Sequence, residues 1–322
     1  MIEKHRRMAW LLVGVLALIG IWFLGDYAYS EVVARSVERW EASIERDADG
    51  VQNGAQTYQL AGSNNVQLIL VHGFNDTPQA FQLMAPALNQ LGYTINAVRL
   101  PGFGVSVAKM NNCRYAQWAD TVLAVVDPTV PTVVVGHSLG GAVSINAILK
   151  DQTKFAGAVL LAPAIDVSNQ RSPLFPTRFW RQVGDWLLVN STVYQSPYDK
   201  NDCRNPDFRN PDYKPPFSTC HIVRQTFALM EQNFSQAERI KIPVLMALSR
   251  DDQVTDWTAA ENYFERIGSV DKTLKFYDQS GHALTVDYDW QNIVNEIDQF
   301  LKEALPVSIG KVAADQSGTV ER

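Results

Sequence analysis

Pro131-Thr132-Val133-Val134-Val135-Gly136-His137-Ser138-Leu139-Gly140-Gly141-Ala142-Val143-Ser144-Ile145-Asn146-Ala147-Ile148-Leu149 decides the fold. Its opening residues, rich in valine, read as a buried strand, and Gly141 to Leu149 read as a helix. Between them stands Ser138, with a glycine two residues away on either side. A side chain at Gly136 or Gly140 would collide within so tight a turn, and the serine projects from it. That arrangement is a nucleophile elbow. The serine backbone also lies at a helix N-terminus, where partial positive charge favours an oxyanion. The bare Gly-x-Ser-x-Gly pattern arises by chance in roughly one chain in ten of this length. The strand before it and the helix after it carry the inference.

Upstream, the strand Val66-Gln67-Leu68-Ile69-Leu70-Val71 runs into His72-Gly73-Phe74-Asn75-Asp76-Thr77-Pro78. Acyl transfer needs two N–H donors aimed at the developing oxyanion. The N–H of Leu139, directly after the serine, is one candidate; that of Phe74 is the other, with Gly73 allowing close approach. On these two motifs the chain from Val66 to Leu301 resembles the α/β-hydrolase family, in particular its small esterase, monoacylglycerol-lipase-like and serine aminopeptidase-like members. A third shared element is Leu100-Pro101-Gly102-Phe103-Gly104, after the strand Tyr93 to Val98; Arg99 stands where the family usually carries an aspartate. The resemblance implies an α/β fold with a mostly parallel central sheet flanked by helices. It also implies a largely helical cap insertion at about residues 163–240.

The family's chain order then implies an acid after a late strand and a histidine near the end. The strand Ile242 to Ser249 leads into Arg250-Asp251-Asp252-Gln253-Val254, and the strand Leu274 to Tyr277 into Asp278-Gln279-Ser280-Gly281-His282. Ser138, Asp252 and His282 fit that order. A serine hydroxyl needs a base to take its proton, and the imidazole needs a carboxylate to fix its tautomer. Asp252 is preferred to Asp251 because the family's acid precedes one residue and then a valine. Asp166 is a third candidate, with a capping role as its alternative. His72 and His137 flank the reactive elements and read as structural, His5 sits in a basic N-terminal cluster, and His221 lies in the insertion. No histidine pair has ligand spacing and no C-x-x-C occurs, so neither a metal nor a cofactor is expected.

Met8 to Gly25 is uncharged and mostly apolar, long enough to cross a bilayer, with Lys4, Arg6 and Arg7 before it and Asp26 and Glu31 after. Residues 1–30 therefore read as an anchor with its N-terminus cytoplasmic and the hydrolase domain extracytoplasmic, periplasmic in a bacterium. The alternative is a signal peptide cleaved near Ala28-Tyr29-Ser30. The length of the apolar run and the interfacial Tyr27 and Tyr29 favour the anchor. Val33, Val37, Trp40 and Ile44 recur at helical spacing, so residues 31–54 read as an amphipathic stalk and polar linker. Residues 55–305 form the hydrolase domain and 306–322 a flexible tail.

Within the insertion, Leu174, Phe175, Phe179, Trp180, Trp186, Leu187, Leu188, Phe227, Leu229, Met230 and Phe234 either line an acyl pocket or pack the cap, packing being expected for more than half. Pro206, Pro211, Pro215 and Pro216 predict an irregular loop over Asn201 to Thr219. Cys203 and Cys220 bracket that loop, and an extracytoplasmic domain would allow a disulfide there; Cys113 leaves three pairings open. A net charge of −6 without a basic stripe gives nucleic-acid binding no support. The expected function is a membrane-anchored serine hydrolase acting on carboxylic esters with a lipid-like or otherwise apolar acyl chain. Thioester or amide cleavage on the same fold and a non-catalytic binding protein are the alternatives. Oligomeric state is not specified by the sequence.

Overall fold

The computed structural model describes residues 2–172, 174–179, 183–184 and 188–305. At its centre is a seven-stranded sheet in the order β1-β3-β2-β4-β5-β8-β9. The strands are β1 (Tyr58–Leu60), β2 (Gln67–Val71), β3 (Thr94–Val98), β4 (Thr132–His137), β5 (Gly157–Leu161), β8 (Val244–Leu248) and β9 (Lys272–Phe276). All neighbours pair in parallel except β1, which runs antiparallel to β3 at the edge. β2, β4, β5 and β8 are buried at every residue. Strands covered on both faces need apolar residues on both, hence their continuous valine and leucine runs.

The two faces divide as the strand period requires. Ile69, Val71 and Val134 face one core with helices α3 (Tyr115–Ala124), α4 (Leu139–Lys150) and α5 (Cys220–Phe234). Leu68, Leu70, Val133 and Val135 face the other, under α2 (Met84–Gln90) and α7 (Trp290–Ala304). Helix α6 (Trp257–Arg266) joins the first layer through Ala260, Tyr263 and Phe264. The mostly parallel sheet flanked by helices is the architecture implied by the resemblance.

The N-terminal segment departs from the expected stalk. Helix α1 (Ile2–Ala42) is one unbroken helix. Its apolar part has a mean hydropathy of 2.3 over a window none of which is buried in the protein. Beyond the apolar run the same helix docks on the domain. Val33, Val37 and Trp40 pack with Val107, Met110, Val193 and Phe217, and the Val107 N–H donates to Glu41 Oε1 at 2.6 Å. The linker packs too: the Gln52 N–H donates to Gly104 O, and its side-chain amide to Tyr213 O. The connecting segment therefore packs on the domain rather than standing off from it.

In the insertion, α5 turns Ile222, Phe227, Leu229 and Met230 into the main core, the packing role expected for most of the apolar set. Two short strands that the sequence reading did not include, β6 (Val193–Gln195) and β7 (Phe217–Thr219), form an antiparallel ribbon. Leu174, Phe175, Phe179 and Phe234 are exposed rather than buried around a pocket, and Leu188 is half-buried. Trp180, Trp186, Leu187 and the tail 306–322 lie outside the described residues.

The disulfide that the sequence would allow is not formed among Cys113, Cys203 and Cys220. Cys113 is buried in the main core with its thiol on Met110 O, Cys203 packs with Ala283 and Val286, and Cys220 directs its sulfur to Ser191 O. The two cysteines that bracket one loop are drawn to different surroundings, and Cys113 to a third.

A chain starting at Asp47 loses the Val33, Val37 and Trp40 contacts, a few kcal/mol of apolar burial. Its unfolding midpoint is expected roughly 10 °C below that of a chain starting at Gly25, both measured by calorimetry in one detergent. Equal midpoints would contradict the docking.

Candidate active site

Every candidate residue lies at the carboxyl end of the parallel strands, where open α/β sheets bind ligands. β4 ends at His137, and Ser138 takes φ 56° and ψ −120° before α4 begins. Such a backbone costs on the order of 1–3 kcal/mol and persists only if its surroundings hold it. Here the Ser138 N–H donates to Leu161 O at 2.9 Å, and Ser138 O accepts from the N–H groups of Gly141, Ala142 and Ala164. A Cβ on Gly136 would lie 2.3 Å from Gly140 O, and one on Gly140 only 2.0 Å from Val71 O. Both glycines are required, as the tight turn implied.

Three side chains from distant parts of the sequence meet there. Ser138 Oγ–H donates to His282 Nε2 at 2.8 Å, and His282 Nδ1–H donates to Asp252 Oδ2 at 2.7 Å. All three residues are buried. The Asp252 carboxylate also accepts from the N–H groups of Val254 and Thr255 and from the Thr255 hydroxyl. Burial alone would raise its pKa, but His282 and the Thr255 donors outweigh that and hold it below the usual carboxylate range. Asp251 turns outward to pair with Arg204, and Asp166 is gripped by Arg178 at 3.0 and 3.1 Å, so neither competes.

The remaining histidines are braces. His137 Nε2–H donates to the carbonyl of His282 at 2.9 Å, holding the histidine loop. His72 Nδ1–H donates to Gly73 O, and its Nε2 accepts from the Leu100 N–H at 3.1 Å. It thereby clips the β2 loop to the Leu100-Pro101-Gly102 turn. Burial pushes His72 down to about 4, and burial with the neighbouring His282 pushes His137 down to about 3. Arg99, the departure from the family pattern, donates to Phe103 O at 3.0 Å and so closes that turn itself. His221 accepts no reactive role; its ring meets Cys113 O at 2.7 Å.

Phe74 and Leu139, the two oxyanion-donor candidates, flank the serine from the β2 loop and the start of α4. Gly73 passes so close that a Cβ there would be 3.2 Å from Ser138 Cβ. Several residues of this frame were not singled out in the sequence. Asn75, at φ 51°, sends Nδ2 to Phe217 O and Ser218 Oγ, both at 2.7 Å. Asp76 forms a buried pair with Lys214 at 3.0 Å. Burial would raise the Asp76 pKa, but Lys214 and His72 outweigh it and lower it. Asp287 accepts from the N–H groups of Gly281, Arg204 and Asn205, and Asp289 from Ser280 Oγ and the Gln279 N–H. The only sequence signal for this last pair is two aspartates between the histidine and α7.

A cavity of about 200 Å³ opens over Ser138 and His282. Its lining is mainly apolar in area, with Phe74, Tyr194, Tyr198 and Val254 sharing the wall with the polar Arg171, Lys200, Lys214 and Asp76. Of the apolar insertion residues named in the sequence, none of the described ones lines this cavity: Phe227, Leu229 and Met230 pack in the core, and Leu174, Phe175, Phe179 and Phe234 are exposed. Among the described residues no group of three or more His, Cys, Asp or Glu side chains is arranged to hold a metal ion.

With this geometry in place, the chain can be compared with known proteins. The family model described as "Serine aminopeptidase, S33" matches residues 62–289. The thermostable monoacylglycerol lipase of Bacillus sp. (strain H-257) is 26% identical over 263 residues, covering 79% of this chain and 97% of that protein. The monoglyceride lipase of Rattus norvegicus is 25% identical over 284 residues, covering 81% and 90%. The crystal structure of Paleococcus ferrophilus monoacylglycerol lipase superposes with a TM-score of 0.67 at 23% identity, covering 77% of this chain and 99% of that one.

The neutral buried histidines set an acid limit on stability. Their folded pKa values, about 4 for His72 and about 3 for His137, lie below the unfolded value of about 6.5. The unfolded chain thus binds more protons as pH falls below 6.5, and stability falls with it. The lowered pKa of Asp252 adds a further loss below the ordinary carboxylate range. The urea midpoint is expected to drop steadily from pH 7 to pH 4.5, with a shallower slope in His137→Asn. An unchanged midpoint across that interval would refute the neutral buried state.

Proposed function

Because this chain belongs to the serine aminopeptidase S33 family, within the α/β-hydrolases, we propose that it is a membrane-anchored serine hydrolase. Its proposed substrates are carboxylic esters, specifically monoesters joining a lipid acyl chain to a small polar alcohol. The observation that carries the reading is the unbroken relay from Asp252 through His282 to Ser138, at 2.7 and 2.8 Å, on a strained elbow.

Ser138 Oγ attacks the ester carbonyl carbon while His282 Nε2 takes its proton, and Asp252 stabilises the imidazolium. The N–H groups of Leu139 and Phe74 hold the oxyanion. Collapse of the tetrahedral species expels the alcohol, protonated by His282, and leaves an acyl-enzyme. Water, deprotonated by the same histidine, then releases the acid and restores the serine. No cofactor enters this cycle.

Two observations support the choice of alcohol. The Bacillus and rat relatives carry the names monoacylglycerol lipase and monoglyceride lipase. The polar part of the cavity wall, with Lys200, Lys214 and Asp76, offers hydrogen bonds to hydroxyl groups. The anchor reading is supported by the exposed apolar half of α1 and the basic residues before it. It puts the N-terminus in the cytoplasm and the domain outside. Residues 1–30 serve as the anchor, 31–54 as a docked connector and 55–305 as the hydrolase domain, with its cap at about 163–240 and a tail from 306.

A fluorophosphonate probe is expected to label the wild type and not Ser138→Ala, while Asp252→Asn lowers kcat by roughly 10⁴-fold. Against a panel of esters, thioesters and aminoacyl amides, the monoesters are expected to give the highest kcat/KM. Folded wild type that resists the probe would favour a binding protein; faster thioester or amide cleavage would move the substrate class.

A further inference from the structure

We infer that the anchor helix holds the oxyanion loop in place through the cap, with Asp26 and Asn75 as the two ends of the linkage. The inference rests on two parts of the function proposed above: a retained anchor and Phe74 as an oxyanion donor.

Asp26 is the first charged residue after the apolar run of α1, yet it is buried. Its carboxylate accepts from three successive backbone N–H groups, those of Val189, Asn190 and Ser191, at 3.2, 2.7 and 3.2 Å. The Asn190 side-chain amide and the Ser191 hydroxyl donate to it as well. Consecutive N–H groups converging on one carboxylate form a charge-assisted clasp, stronger than neutral hydrogen bonds. Two residues further on, the chain enters β6. There the Gln195 N–H donates to the Tyr29 hydroxyl of α1, a second tie between anchor and ribbon.

β6 pairs with β7 in the register Val193↔Thr219, Tyr194↔Ser218, Gln195↔Phe217. The first two residues of β7, Phe217 through its carbonyl and Ser218 through its hydroxyl, receive both hydrogens of the Asn75 amide. Asn75 is bonded directly to Phe74. At φ 51° it holds a conformation that L-residues disfavour, so the direction of the adjacent peptide depends on what grips its side chain. The buried Asp76–Lys214 pair ties the next loop residue to the chain leading into β7. A clasp, a ribbon and an amide thus join the membrane helix to the loop whose N–H must meet the oxyanion.

A clasp that served stability alone would leave the chemical step untouched. One that positions the loop changes kcat, because an oxyanion donor displaced by tenths of an ångström loses much of its effect. The test uses the full chain in detergent micelles and a short-chain, water-soluble ester, so that delivery from a membrane plays no part. Asp26→Ala is expected to lower kcat about 10-fold and Asn75→Ala about 30-fold, each with KM within about 2-fold of wild type. Acting on one linkage, the double variant is expected to fall no further than Asn75→Ala alone. Asp26→Glu, which keeps the carboxylate, is expected to recover part of the loss. Fluorophosphonate labelling should still reach completion in every variant, only more slowly.

An unchanged kcat in Asp26→Ala, a loss confined to KM, or losses that multiply in the double variant would overturn the linkage while leaving wild-type labelling intact. A wild type that does not label would instead overturn the parent reading. Should Asp26→Ala fail to fold, Tyr29→Phe removes the hydroxyl that accepts from Gln195, and Ser191→Ala the hydroxyl that donates to Asp26. They are expected to lower kcat about 2- to 3-fold, and full kcat in both would equally overturn the linkage.

Discussion

The structure turns on a strained residue held at the junction of β4 and α4. Ser138 keeps a positive φ because its own N–H reaches Leu161 on β5 and its carbonyl collects three N–H groups from α4 and the β5 loop. The turn also needs room, and the room comes from glycines lying against backbone. Gly140 rests on Val71 O, the last residue of β2, and Gly136 rests on Gly140. The strand register that pairs Val71 with Gly136 and His137 with Leu161 therefore does more than build a sheet. It brings the ends of β2 and β5 against the serine turn, and with β2 comes the loop carrying Phe74. Shifting any of these strands by one residue would reverse their side chains between the two cores and dissolve the turn together.

Around that turn the site is a set of buried polar groups, each of which must be satisfied or neutral. The carboxylates take the first course. Asp252, Asp76, Asp287 and Asp289 are all buried and each accepts hydrogen bonds from loop N–H groups, hydroxyls or a lysine. The histidines take the second: His72 and His137 stay neutral and use one N–H each to brace a carbonyl. Loops at the end of a sheet carry little regular structure of their own. These fixed hydrogen bonds give them the rigidity that a positioned hydroxyl–imidazole pair requires.

What could be read from the sequence follows the same physics. Strands buried on both faces announce themselves as apolar runs, so β2, β4 and β8 were readable to within a residue or two. The elbow was readable because its glycines are demanded locally, and the order of acid and histidine came from resemblance. The three-residue strands β6 and β7 were not readable, since their pairing spans more than twenty residues of proline-rich chain and no period is visible in so short a run. Asn75, Asp76 and Asp287 were missed because their partners are distant in sequence. The cysteine pairing stayed open for the same reason, as bracketing a loop says nothing about where two sulfurs end up. The cavity wall was hidden because its residues come from distant loops, whereas the described apolar residues of the insertion pack in the core or face outward.

Helix α1 shows how one residue can mark a boundary for two physical reasons. From Met8 to Gly25 the helix offers uncharged, mostly apolar side chains, none of them buried. A carboxylate cannot follow such a run into hydrocarbon without large cost, and a carboxylate buried in protein is equally costly unless donors surround it. Asp26 meets both conditions at once: it ends the apolar stretch and is enclosed by the donors of Val189 to Ser191. Removing the helix up to this point would strand those donors without their acceptor. Helix α1 and the insertion are consequently difficult to separate energetically, and a helix whose first part is exposed and apolar is, from Asp26 onward, part of the fold that surrounds the serine.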